Sequence, residues 1–202
     1  GMYSFAARLA DAKIISVPRT NTWDIDIPAM TGAIDRLTRI IFLASPNNPT
    51  GNLLRESDAR ALLDTGVVLC VDETYYEFSG NTLSHLLDDY ENLVILRSFS
   101  KWAGIAGLRV GYAIGSATLI SHLMDIKQPY NINIAGEAAV LAALEHRDEL
   151  LERTRSLVEQ RKKLEAVIND LDGVSYFPSQ GNFLLCKFEH KTAEEAFTGL
   201  AK

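Results

Sequence analysis

The 202-residue chain is short of several things, and each shortage removes a class of function. It holds two cysteines, Cys70 and Cys186, each inside an apolar run (Val67-Val68-Leu69-Cys70-Val71 and Phe183-Leu184-Leu185-Cys186). That is too few for a disulfide framework and the wrong spacing for a Cys-x-x-Cys site. Both read as buried free thiols in a reducing cytosol. The apolar runs are too short to span a bilayer. The first residues, Gly1-Met2-Tyr3-Ser4-Phe5, lack the basic region and cleavage pattern of a secretory leader. Basic charge is not in excess: 20 Lys and Arg face 26 Asp and Glu, for a formal net charge of −6. That balance speaks against nucleic-acid and anionic-membrane partners. No Gly-x-x-x-x-Gly-Lys-Ser/Thr loop occurs, so a P-loop nucleotide site is excluded. The four histidines (His85, His122, His146, His190) show neither a zinc spacing nor a Ser-His-Asp arrangement. They read as structural, and no metal site is expected.

What remains is an ordinary globular composition, 47% hydrophobic and 23% charged. Short runs rich in Ile, Val and Leu, without polar alternation, predict strands covered on both faces at 13–17, 39–44, 67–71, 92–97 and 109–114. Helical patterns fall between several of them, at 3–11, 28–37 and 56–64, with Ser57 a candidate cap. Strands separated by helices predict an α/β fold with a mostly parallel sheet and flanking helices. Helical patterns follow at 117–126, 135–145 and 148–171, the last long and amphipathic. Two strands (174–177, 182–188) and a helix (193–201) then read as the start of a small α+β domain. The expected division is a large domain over 1–146, a connecting helix over 147–171 and the small domain over 172–202.

Three motifs begin where predicted strands end: Ser45-Pro46-Asn47-Asn48-Pro49-Thr50-Gly51, Asp72-Glu73-Thr74-Tyr75 and Ser98-Phe99-Ser100-Lys101. Ligands of parallel sheets collect beyond the carboxyl ends of the strands. A fourth, Gly107-Leu108-Arg109-Val110-Gly111, follows Lys101 by a few residues. One amine, one carboxylate, one phenol, one amide and one guanidinium match the needs of pyridoxal 5′-phosphate. Lys101 can form a Schiff base with the cofactor aldehyde. Asp72 can end its strand in a turn or pair with the cationic ring nitrogen. Tyr75 reaches the same ring from its edge, and Asn48 can donate to the phenolic oxygen, although its loop is also a turn by composition. Ser98, Ser100 and the planar fork of Arg109 can hold the phosphate.

These motifs resemble those of the pyridoxal phosphate-dependent aminotransferases of the aspartate aminotransferase fold. Within that superfamily the chain is most similar to the histidinol-phosphate aminotransferase family. Gly1-Met2-Tyr3-Ser4, Gln128-Pro129-Tyr130-Asn131-Ile132-Asn133 and Ser179-Gln180-Gly181-Asn182-Phe183 add to the likeness. The resemblance implies that Lys101 is the Schiff-base lysine and carries the proton between substrate Cα and cofactor. It gives Asp72, Asn48, Tyr75, Ser98, Ser100 and Arg109 the roles above and puts Asn182 near the substrate. It implies a phosphorylated amino alcohol as amino donor, a 2-oxo acid acceptor, a cytoplasmic enzyme of histidine biosynthesis, and a homodimer when full length. By the same likeness the chain is expected to be incomplete at both ends. It would lack the Gly-rich phosphate loop, the ring-stacking aromatic and the arginine that clamps the substrate carboxylate, and would be inactive alone. Threonine-phosphate decarboxylases, and aminotransferase-like sensor domains of transcription regulators, are the alternatives that share these motifs.

Overall fold

The structure, a computed structural model, describes residues 2–130 and 132–201. Gly1 and Asn131, both in stretches that carry the resemblance, lie outside the described residues, as does Lys202. In chain order the elements are α1 (Met2–Leu9), α2 (Ile27–Gly32), β1 (Ile40–Ala44), α3 (Glu56–Leu63), β2 (Val68–Asp72), α4 (Tyr76–Ser79), β3 (Leu93–Ser98), β4 (Gly111–Gly115), α5 (Ala117–Ile126), α6 (Ile134–Glu145), α7 (Arg147–Asn169), β5 (Val174–Phe177), β6 (Leu185–Phe188) and α8 (Ala193–Leu200).

The larger sheet runs β1-β2-β3-β4. β1, β2 and β3 are parallel, and β4 returns antiparallel to β3. Side chains alternate across a pleated strand, so the register sorts this sheet into two faces. One carries Ile41, Leu43, Leu69, Val71, Leu93 and Ile95, all buried against Leu54, Ala59, Leu62, Leu63, Leu83 and Leu86. This is the main core. Helix α3 supplies its part through a stripe of buried Ala59, Leu62 and Leu63, with Glu56 and Asp58 favourably placed in its first turn. The other face carries Phe42, Cys70, Asp72, Val94, Leu96 and Ser98. A second cluster gathers Tyr75, Phe78, Phe99, Trp102, Ala103 and Val110 under Ala143 of α6 and Leu150, Leu151 and Val158 of α7. Beyond α7, β5 and β6 form a separate antiparallel pair.

Most predicted elements are present, and the differences have physical reasons. Residues 13–17 are not a strand: no strand lies beside them among the described residues, and Ile14 and Ile15 stay exposed. An extended segment without a partner leaves its backbone to water and gains nothing from a ladder. The second helix stops at Gly32, where a turn closed by Asp35 and Thr38 takes over. Ser57 does not cap α3; Arg55 occupies that position without a side-chain bond. The 109–114 strand starts at Gly111, because Arg109 is in the left-handed conformation (φ 59) that ends the short 3-10 turn Ala106–Leu108. The 182–188 strand starts at Leu185. Burial on both faces fails at the margins of the sheet, where Ile40, Phe42 and Tyr112 remain exposed. Cys70 is buried, and burial pushes its thiol up to about 12. Cys186 is only half-buried. Among the described residues no helix is long and apolar enough to cross a membrane.

Candidate active site

Three strands deliver their motifs to one end of the sheet. β1 ends at Ala44, one residue before Ser45; β2 ends on Asp72; β3 ends on Ser98. The Ser45 N–H donates to the Asp72 carbonyl (2.9 Å), and the Glu73 N–H donates to the Leu96 carbonyl (2.8 Å), so the ladder runs to these termini. Asp72 pairs with Leu96 in register, and Ser98 lies two residues further along β3. Two residues is one full pleat, so Asp72 and Ser98 share a face.

The loop after β1 is tied by its own bonds. Gly51 N–H donates to the Asn47 carbonyl (2.7 Å), Asn47 N–H to the Asn52 carbonyl (2.9 Å), and Leu54 N–H to Ser45 Oγ (3.0 Å). This presents Asn48, whose Nδ2 donates to the Tyr75 hydroxyl at 2.9 Å. The phenol oxygen is therefore already an acceptor, and its own proton is left to donate elsewhere. Tyr75 is buried, with its ring edge-on to Phe183 at 5.0 Å.

The β3–β4 connection places the amine, two hydroxyls and a guanidinium. Phe99 and Val110 are buried and bonded backbone to backbone (3.2 Å), which closes the loop at its base. Lys101 stands between Ser100 and buried Trp102, with its side chain exposed; its Nζ lies 5.8 Å from the centroid of the Tyr75 ring. That is cation–π range, and it brings amine and phenol together. Ser98 Oγ donates to Ser100 Oγ (2.8 Å) and accepts from the Ser100 N–H (3.0 Å). Ser98, Ser100 and Arg109 line one recess of about 380 Å³ with Leu96, Gly111 and Ala113. Arg109 spends one donor on the Ala106 carbonyl (3.0 Å), and a guanidinium has five. Glycine at 111 is required there: a Cβ would lie 2.7 Å from the Arg97 carbonyl oxygen.

Asp72 accepts the Thr74 N–H on Oδ1 (2.9 Å) and the Tyr3 hydroxyl on Oδ2. Burial, and then the bond to Asp72, hold the Tyr3 phenol well above its usual ionisation range. Asn182 is the one expected residue the structure does not draw in; it is exposed and makes no side-chain hydrogen bond among the described residues. Its neighbour Phe183 is the one that touches Tyr75.

Other residues complete the site without having been singled out. Tyr3 is one: a tyrosine on a helix 69 positions away carries no local signal of its partner. Glu73 and Arg97 are a legible omission. They point to the opposite face from Asp72 and Ser98, and there they pair. Glu73, 1% exposed, accepts from Arg97 Nε (3.1 Å) and Nη2 (2.9 Å), Thr82 Oγ1 (2.8 Å) and Leu83 N–H (2.7 Å). Arg97 Cζ lies over the Tyr76 ring, 3.6 Å from its centroid.

The donor set suits a planar aromatic carbonyl that carries a phosphate, a hydroxyl and a ring nitrogen. It offers an exposed amine, a carboxylate held by a donor on each oxygen, a phenol with a proton to give, and a recess of two hydroxyls with a guanidinium.

The family profile of the class I and II aminotransferases matches residues 1–202, and the chain belongs to that family. Within it, the chain is 44% identical over 196 residues to the histidinol-phosphate aminotransferase of Roseiflexus castenholzii, covering 96% of this chain and 53% of that protein. The chain thus spans about half the length of the curated relatives it matches. The crystal structure of the histidinol-phosphate aminotransferase from Clostridium acetobutylicum superposes with a TM-score of 0.89 at 22% identity, over 98% of this chain and 62% of that one. The Sinorhizobium meliloti histidinol-phosphate aminotransferase, solved in complex with pyridoxal-5′-phosphate, gives a TM-score of 0.82 at 27% identity, over 96% and 54%. The mostly parallel sheet with flanking helices is the fold these neighbours share.

Proposed function

We propose that this chain carries the cofactor-binding and catalytic core of a pyridoxal phosphate-dependent aminotransferase. The amino donor is a phosphorylated amino alcohol of the histidinol phosphate type and the acceptor is a 2-oxo acid such as 2-oxoglutarate. The observation that carries this reading is the shared face of Asp72 and Ser98, with Lys101 and Tyr75 brought together beside it. The likeness to histidinol-phosphate aminotransferases supports the choice of donor.

Pyridoxal phosphate, when bound, supplies an electron-accepting ring that renders the donor's Cα–H acidic. The chain's own residues do the rest. Asp72, fixed by its two donors, keeps a proton on the ring nitrogen. Tyr75 donates to the ring hydroxyl, with its phenol oxygen oriented by Asn48. Ser98, Ser100 and Arg109 bind the phosphate, the last through a planar fork suited to it. Lys101 would hold the cofactor at its carbonyl carbon and would carry the proton at the donor's Cα. The family likeness supports a place near the substrate for Asn182, whose neighbour Phe183 packs edge-on against Tyr75. Residues 1–146 form the large domain, 147–171 the connecting helix and 172–202 part of the small domain; the two separate sheets support this division. The same reading takes the protein to be cytoplasmic and to assemble as a homodimer. Exposed apolar side chains such as Ile126, Tyr130 and Ile134 support an interface.

The test is borohydride reduction with bound cofactor, followed by peptide mapping, with glutamate formation from histidinol phosphate and 2-oxoglutarate followed in parallel. Label on Lys101, lost in Lys101→Ala, is expected. Label on Lys127 or Lys162 instead would overturn the assignment.

A further inference from the structure

Asp72 is held from both sides, and only one of its partners is local. The Thr74 N–H on Oδ1 belongs to the same turn. The Tyr3 hydroxyl on Oδ2 comes from α1, at the other end of the larger sheet's sequence. The terminal torsion of an aspartate is broad and roughly two-fold, so a single donor leaves the second oxygen free to swing. Two donors on opposite oxygens fix the plane. Tyr3 is itself aimed: its ring stacks on Phe42 at 5.1 Å and 12°. The sheet register places Phe42 beside Cys70, on the same face as Asp72. Helix α1 has no buried residue, and Tyr3 itself is half-buried like Ser4 and Ala7, so packing of the helix into a core does not account for the placement of this phenol.

We propose that Tyr3 is the positioning residue of Asp72: its hydroxyl fixes the carboxylate plane so that one lone pair is directed at the cofactor's ring nitrogen. The proposal rests on the reading of Asp72 given above. Tyr3 touches neither cofactor nor substrate in this role; it acts through Asp72. The raised phenol keeps its proton at any working pH, so the bond is a permanent donor and not a switch. Each Asp72 oxygen retains a further lone pair, so holding Tyr3 and meeting the ring nitrogen are compatible.

The experiment compares the affinity of the full chain for pyridoxal phosphate and for its 1-deaza analogue, in which C–H replaces the ring nitrogen. Three proteins are titrated: wild type, Asp72→Ala and Tyr3→Phe. Tyr3→Phe keeps the ring that stacks on Phe42 and removes only the hydroxyl. Wild type should prefer the natural cofactor, and Asp72→Ala should erase the preference. Tyr3→Phe should cut the preference about tenfold, on the scale of one charge-assisted hydrogen bond, and leave the affinity for the analogue unchanged. If Asp72→Ala erases the preference and Tyr3→Phe preserves it, or weakens both ligands equally, Tyr3 is a structural tether and the proposal is wrong. If Asp72→Ala itself leaves the preference intact, the reading of Asp72 fails and the role of Tyr3 falls with it.

Discussion

Gly51→Ala should be far more damaging than an ordinary glycine replacement, and a matched control exists within the chain. Gly51 has φ +77, and an ideal Cβ there would lie 2.5 Å from Ser179 Cβ and 2.6 Å from Ser179 Cα. Backbone is among the obstructing atoms, so no rotamer change relieves the clash. Ser179 is also held, since its Oγ accepts the Gly181 N–H at 3.0 Å and the next residue, Gln180, donates its N–H to the Gly51 carbonyl at 2.8 Å. Gly66 has nearly the same backbone, φ +78, with nothing within 4 Å of its Cβ position. Gly66→Ala therefore measures the left-handed conformation alone, roughly 1–2 kcal/mol. Gly51→Ala adds overpacking of about 1–3 kcal/mol, for a total of roughly 2–5 kcal/mol. Urea unfolding of the two variants side by side reads the difference. The loop that would be displaced carries Asn48, so cofactor affinity should also fall in Gly51→Ala and hold in Gly66→Ala. Equal destabilisation by the two would refute the claim that the Asn47–Gly51 loop is seated against Ser179.

Two further outcomes concern the face opposite the site. Arg97→Met leaves Glu73, 1% exposed, without its countercharge, and should cost about 3–5 kcal/mol in the same unfolding assay; a loss below about 1 kcal/mol would show that Thr82 and Leu83 satisfy the carboxylate unaided. Glu77 is raised to about 7, chiefly by burial. Its folded pKa is above its unfolded value, so the folded state favours the protonated form and loses stability as pH rises from about 4.5 to about 7, levelling off above. Glu77→Gln should match wild type near pH 4 and exceed it increasingly up to pH 7, as followed by thermal unfolding across that range. A stability difference independent of pH would refute the burial of this carboxyl.

The parts of this molecule that were legible in the sequence are those with short-range causes. Helix α5 and strand β5 fall on their predicted spans, 117–126 and 174–177. The three strand-end motifs stand at strand ends, because an Ile- and Val-rich run followed by Asp, Ser or Pro is itself the signal. What was not legible depends on partners distant in sequence. Residues 13–17 have the composition of a strand, but a ladder needs a neighbour, which no local pattern reveals. Tyr3 is 69 residues from Asp72, and Ser179 is 128 from Gly51 (179 − 51). The Glu73–Arg97 pair lies between these cases. Alternation alone assigns Glu73 to the face opposite Asp72, and Arg97 to the face opposite Ser98. Applying the two-residue period one step past the strand ends would have found the pair.

That alternation also sends the two adjacent acidic residues at the end of β2 to opposite faces of the sheet. A register shift of a single residue turns every side chain of a strand to the other face. At the end of β2 such a slip would put Glu73 on the face that Asp72 occupies, and at the end of β3 Arg97 on the face of Ser98. The last ladder pair of β2 with β3 is Asp72 with Leu96, so regular pairing stops where the site begins. The Glu73–Arg97 bonds lie just beyond that pair, on the far face, and a one-residue slip of either strand would turn the two side chains to opposite faces. The stack of Arg97 on Tyr76 and the bonds from Thr82 and Leu83 anchor the same two side chains to the segment after β2. The buried ion pair therefore disfavours a one-residue slip at the point where regular pairing stops. A buried pair is a weak source of net stability but a strong penalty on any arrangement that separates its partners, so its effect falls on the slipped arrangements more than on the native one.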